Sequence, residues 1–166
     1  MVTYTIQLDT IDPQNALRDL DVAAGDLSPL MDEIGAYLEQ MARDRIEATN
    51  TAPDGTPWTP SGRVAEEGGK TLFASGRLAA SLTHLAGRDQ VQIGSNLIYA
   101  GVHQEGRTIT PVTGDALHFV LPNGQHVTVG SVTIPARPYL GVSDEEELAI
   151  YDMVEDYLLA PVRAVQ

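Results

Sequence analysis

A chain of 166 residues with 43% apolar content can bury a real core as one domain and is too hydrophobic to be disordered. Its formal charge of −13 excludes a protein that grips nucleic acid through clustered Lys and Arg, and the lack of cysteine excludes disulfides and thiolate chemistry. No apolar run approaches the length of a membrane span, and Met1-Val2-Thr3-Tyr4 lacks the basic and apolar regions of a signal peptide.

The first element in chain order is a period-2 strand, Thr3 to Leu8, with Tyr4, Ile6 and Leu8 on one face. A short helix is expected over Asp12 to Ala24, with Asp12-Pro13 as its start signal. Ser28-Pro29 repeats that signal ahead of the main N-terminal helix. Its apolar stripe is Leu30, Ile34, Tyr37, Leu38, Met41 and Ile46, continuing to about Thr49, and it leaves Asp32, Glu33, Glu39 and Asp44 for the outer face.

Residues 51–70 are rich in Pro, Gly, Ser and Thr and read as a long flexible loop, a kind that is usually functional or mobile. The only tryptophan, Trp58, sits in it between two prolines. It is either a loop anchor tucked onto the core or an exposed anchor that a neighbour covers. Ser75 is placed to cap a helix carrying Leu78, Ala79 and Leu82. Leu82 to Leu85 and Gln90 to Gly94 are two short strands, and Ser95 or Asn96 then caps a helix over Leu97 to Gln104 that stops at Gly106.

Thr108 to Pro111 is extended, and Leu117 to Leu121 with His126 to Val129 flank an Asn-Gly turn, which signals a hairpin. A returning strand should stop at Ile134, because Pro135 has no N–H to donate. Ile134 to Gly141 contains two prolines, an Arg and an aromatic, and reads as a rigid corner. Ser143 and Glu146 form a capping box for a last helix over about Asp144 to Leu159, which Pro161 ends. That helix should place Leu148, Tyr151, Val154 or Glu155, and Leu158 on successive turns.

Acid is concentrated at the two ends. Residues 1–50 hold ten acids and three bases, residues 51–140 six of each, and residues 141–166 seven acids and one base. The plain reading is solvated helix faces; the sharper one is an acidic wall past which DNA slides. Of the four histidines none has a partner at metal-ligand spacing, and His118 and His126 are expected to face each other as a polar pair across the hairpin. No nucleophile elbow or phosphate loop occurs, so neither a catalytic nor a metal site is assigned and no cofactor is expected.

Four segments now stand in order: Asp54-Gly55-Thr56-Pro57-Trp58; Leu72 with Ser75-Gly76-Arg77-Leu78 and Ser81; Ile93-Gly94-Ser95-Asn96, Tyr99-Ala100 and His103-Gln104-Glu105-Gly106; and Ile134-Pro135-Ala136-Arg137-Pro138-Tyr139-Leu140-Gly141. Together they resemble the virion morphogenesis (tail completion) family of Mu-like tailed bacteriophages, over about Ile34 to Leu159. Gln104-Glu105-Gly106 departs from that family's Gln-aromatic-Gly, and residues 1–26 stand as an N-terminal extension. The resemblance implies a structural protein of the virion neck or tail end, built in the host cytoplasm, that joins head to tail. Its implied partners are further copies of itself, in a six-fold or twelve-fold ring, and the adjacent head-completion or portal-side and tail-tube proteins. DNA is then passing cargo without specific binding, and no membrane is involved.

The expected fold class is α+β in a single domain, 1–166. One antiparallel sheet, from residues around 82–94 and 107–134, packs against the long N-terminal helix and the C-terminal helix. The expected interface residues are Trp58, Arg77, Tyr99, His103, Arg137 and Tyr139, although Arg77 and Arg137 could equally be partners of core carboxylates or carbonyls, and Tyr99 core. Two rival readings remain open: an acidic adaptor or DNA-mimic inhibitor outside the virion, and a hydrolase with a site near His103 and Glu105.

Overall fold

A computed structural model describes residues 18, 20–22, 24–121 and 123–163, with 161–163 as backbone alone. The expected strand over 3–8 and most of the expected helix over 12–24 lie outside the described residues; 18, 20–22 and 24 are helical. The fold is α+β, as the sequence predicts.

Helix α1 (Ser28–Asp44) has Pro29 in its first turn, where a missing N–H costs nothing. The side chain that serves this start is Asp26, whose Oδ1 accepts from the Ser28 N–H at 3.0 Å; Ser28 itself is the first helical residue. Leu30, Ile34 and Leu38 are buried as the periodicity requires, while Tyr37 and Met41 are half-buried. Glu39 departs from its expected outer position and is largely covered by its partners Arg43 and His84. The helix widens into a π turn, Arg45–Thr49, and stops at Asn50, which takes a left-handed φ of 55°. Asn50 Nδ2 donates to the Ile46 carbonyl at 2.9 Å, and its Oδ1 accepts from the Thr71 N–H at 2.6 Å. One short polar side chain thus ends the helix and fixes a loop 21 residues away.

The segment 51–70 carries a bridge between Thr51 and Pro57 and a short helix, α2 (Gly62–Glu67), capped by Ser61. The Lys70 ammonium closes its end on the Glu47 and Ala48 carbonyls of the π turn. Helix α3 (Arg77–Ala80) follows Gly76 in left-handed conformation, so the expected cap by Ser75 is not made. Strands β1 (Leu82–Ala86) and β2 (Val91–Ser95) form an antiparallel hairpin, paired Leu82 with Ser95 through Ala86 with Val91. This hairpin lies on α1. A Cβ on Gly35 would stand 2.5 Å from the His84 ring, so only glycine permits that approach.

Helix α4 (Ala100–Glu105) starts three residues later than expected, because Ser95 Oγ binds the Leu97 N–H in a turn at 3.1 Å. Strands β3 (Arg107–Ile109) and β6 (Val132–Ile134) pair antiparallel, and β4 (Leu117–Val120) and β5 (His126–Val129) pair between them in the chain. Among the described residues the single sheet expected from 82–94 and 107–134 is therefore three separate two-stranded ribbons. Val127 and Val129, and likewise Val132 and Ile134, alternate with polar residues and are half-buried, but that alternation gives a strand one apolar face without fixing what covers it, and the residues of these strands are exposed or half-buried throughout. His118 pairs with Thr128, not His126, and binds its hydroxyl at 2.9 Å. The turn closes on Leu121 and Gln125, which sets His126 opposite Val120.

Helix α5 (Asp144–Arg163) runs through Pro161 instead of stopping there. Near the last turn a proline removes one intrahelical hydrogen bond without breaking a long run. Its half-buried stripe is Ile150, Met153, Val154 and Tyr157, packed on the buried Leu30, Ile34 and Leu38. Leu148 and Tyr151, expected on that stripe, are instead 65% and 61% exposed. A second core cluster joins Ala42, Ile46, Trp58, Leu78, Ala79, Leu82, Ala100 and Tyr139.

Candidate functional site

The corner of Ile134 to Gly141 lies where most of these elements meet. Two of its residues, Pro135 and Pro138, cannot donate backbone hydrogen bonds, and β6 stops at Ile134 as they require. The remaining polar groups find partners far away in sequence. The Arg137 N–H donates to the His103 carbonyl at 2.7 Å. The Gln104 amide acts as a clamp: its Oε1 accepts from the Tyr139 and Leu140 N–H groups, and its Nε2 donates to the Leu140 carbonyl, each at 3.0 Å. Tyr139 is buried and its hydroxyl donates to the Ala100 carbonyl at 3.2 Å. Burial, with Tyr99 adding, pushes the Tyr139 phenol above its ordinary pKa.

From the other side, Trp58 Nε1 donates to the Pro138 carbonyl at 3.1 Å and Arg137 Nε to the Thr59 carbonyl at 2.9 Å. Arg45 completes the cage. Its Nη1 binds the Tyr139 and Gly141 carbonyls at 3.1 and 3.0 Å, and its Nη2 meets both Glu146 oxygens at 2.5 Å. Glu146 also accepts from the Ser143 N–H at 2.8 Å while Ser143 Oγ accepts from the Glu146 N–H at 3.2 Å, so the predicted capping box forms and is fused to a buried ion pair. Gly106 lets α4 and the corner touch: its φ is +71° and a Cβ there would stand 2.6 Å from the Ala136 nitrogen.

Four of the six expected interface residues line one cavity of about 330 Å³ on one side of the corner: Arg77, Tyr99, His103 and Arg137, joined by Arg63 and Ser61. Trp58 and Tyr139 do not reach it; they belong to the chain's own core. Arg77 is exposed, whereas Arg137 is buried and uses a carbonyl, one of the two alternatives weighed for it. Tyr99 meets the His103 ring edge-on, with centroids 6.0 Å apart. Burial lowers the His103 pKa below the ordinary imidazole value, and the Arg137 charge adds to that. Burial also lowers Arg137.

A wider cavity, of about 840 Å³, lies between the π turn, residues 51–55 and the start of α5. Its charged lining is Asp44, Asp54, Asp144, Glu145 and Glu146 with Arg45. Pro138 lines this acidic cavity and Arg137 the basic one, so the corner separates two spaces of opposite sign.

Sequence reasoning missed Arg45, the Gln104 clamp and His84. Arg45 carries a readable signal: it falls on the apolar stripe, one turn from Met41 and next to Ile46. His84 Nδ1 lies 2.7 Å from Glu39 Oε2 and its Nε2 3.2 Å from Asp32 Oδ1. The hydrogen bond to Glu39 is the main cause that raises its pKa, against a smaller effect of burial. Among the described residues no group of three or more His, Asp or Glu side chains could hold a metal ion, and no helix is long and apolar enough to cross a membrane.

Residues 8–159 match the phage virion morphogenesis family. The putative capsid assembly protein G of Escherichia phage Mu is 34% identical over 95 residues, which are 57% of this chain and 51% of that protein; the match thus spans about half the length of the Mu protein. The Mu-like prophage FluMu G protein 2 of Haemophilus influenzae is 26% identical over 143 residues, 86% of each chain. No solved structure matches. With nearly its whole length aligned, including every residue of the corner and of both cavities, this chain belongs to the phage virion morphogenesis family.

Proposed function

We propose that this chain is a structural, non-enzymatic component of the phage neck or tail end, which assembles as a closed homo-oligomeric ring of six or twelve subunits. The ring docks between a head-completion or portal-side protein and the tail tube, and DNA passes through it without being held. The observation that carries this reading is the double ribbon of residues 107–134. Among the described residues it pairs only with itself, and it exposes Val112 at 99%, with Ile109, Phe119 and Val120 also exposed. Isolated two-stranded ribbons are marginal in water, and apolar side chains on one find a use when a neighbour covers them. Its base is held by the caged corner through Gly106 and Ile134, which gives a projecting arm a firm root. The net charge of −13 disfavours adhesion to DNA, as a passage requires.

Light scattering across concentration, with electron microscopy of the particles, tests this reading. Rings of six or twelve support it, and removal of residues 110–131 should then leave a folded subunit that no longer closes a ring. A strict monomer that also fails to bind portal-side and tail-tube proteins in a pull-down overturns it.

A further inference from the structure

The smaller cavity has a charge that the chain as a whole does not lead one to expect. The protein carries −13, yet Arg63, Arg77, Arg137 and His103 line this space and, among the described residues, no Asp or Glu does. Arg137 is only 5% exposed, and while its Nε is taken by the Thr59 carbonyl, its two terminal nitrogens meet no acceptor among the described residues. The Arg77 side chain has no hydrogen-bond or ion-pair partner among the described residues, and His103 Nδ1 is buried without one. A guanidinium withdrawn from water beside other cations is destabilising unless an anion joins it.

On the other side of the corner the imbalance is reversed. Asp144 and Glu145 are exposed at the mouth of the acidic cavity and have no ion-pair partner among the described residues. Arg45, the one cation lining it among the described residues, is committed to Glu146. Planar guanidinium forks match carboxylates in two-point contact, and Tyr99 beside the arginines supplies an apolar rim.

We propose that the arginine cavity is a carboxylate socket that receives the Asp144-Glu145 turn of a second copy of this chain. The contact joins two different patches, so it is heterologous and propagates around a ring. The choice of a second copy rests on the self-assembly reading above; the socket's preference for carboxylate does not.

The test uses the whole chain with Arg77→Glu and Glu145→Arg, both on exposed residues, and a peptide of residues 141–152 as a separate probe. The peptide should bind the wild type, weaken at high salt, and lose about tenfold or more of its affinity for the Arg77→Glu protein. Each single variant should fail to assemble, and an equal mixture of the two should assemble, because every alternating contact restores one Arg–Glu pair. Peptide binding that depends on Arg77 in a protein that never forms rings keeps the socket and removes the ring. Rings that form as well from either variant alone as from the wild type keep the ring and remove the socket. Stabilisation by inorganic phosphate with no peptide binding overturns the proposal.

Discussion

The corner of 134–141 and the ribbons of 107–134 adjoin in sequence and are held in opposite ways. In the corner, side chains bind backbone across long separations: Arg45 reaches 94 and 96 residues to Tyr139 and Gly141, Trp58 reaches 80 to Pro138, and Gln104 about 35 to Tyr139 and Leu140. In the ribbons, backbone pairs with nearby backbone, and the side chains contribute little burial. A prolyl corner cannot satisfy itself locally, so it must recruit partners and becomes rigid. A ribbon satisfies its own backbone and leaves its faces for another molecule. Rigidity and availability are thus divided between adjacent segments.

The strongest way to break this comparison is Arg45→Met. It leaves Glu146 buried without its partner and strips the Tyr139 and Gly141 carbonyls, and a loss of about 3–5 kcal/mol is expected in urea unfolding. A loss below about 1 kcal/mol would mean that the cage is not what holds the corner. Gly106→Ala comes next. Strain at its positive φ contributes of order 1–3 kcal/mol, and the contact with the Ala136 backbone adds to it; a thermal melt should register both. Gln104→Ala removes one acceptor serving two N–H groups and one donor, and should cost about 1–3 kcal/mol in the same urea assay.

His84 sharpens the picture of the helical body through pH. Its folded pKa is raised, chiefly by Glu39 with Asp32 helping, so its contribution is fully present below the ordinary value of 6.5 and is lost as pH rises through the folded value. His103 acts in the other direction, since its lowered pKa removes stability as pH falls below 6.5. The difference between wild type and His84→Leu isolates the first effect: the wild-type advantage should shrink as pH rises above 6.5, and a difference independent of pH would refute it. The smallest effect is expected in the ribbon. Phe119→Ser should shift unfolding by no more than about 0.5 kcal/mol while weakening self-association in light scattering, and amides of 117–129 should exchange faster than those of α1.

What could be read in advance follows the range of the interactions. The start of α1 near Pro29, the hairpin of β1 and β2, the Asn-Gly turn, the stop at Pro135 and the Ser143–Glu146 box each depend on residues within a few positions of one another. The left-handed Asn50 that stops the helix was not read in advance, and nothing local revealed that its amide would also bind Thr71. His118 was set against the wrong partner because register depends on which pair closes the turn. The candidate cavity was half legible: Arg77, Tyr99, His103 and Arg137 were chosen for their chemistry, but Arg63 joined them only through the fold.

The sequence by itself determined most element types, though not the short helix Gly62–Glu67 inside the segment read as a loop, together with the two proline positions and the acidic ends, because φ restriction, side-chain periodicity and charge are local properties of the chain. Only the tertiary structure decided that the described strands form three ribbons instead of one sheet, that Trp58 and Tyr139 are core, and that Arg45 closes on Glu146 101 residues away. Those outcomes depend on which surfaces exclude water together, and a guanidinium or an indole carries no mark of its partner until the chain has brought the two within reach.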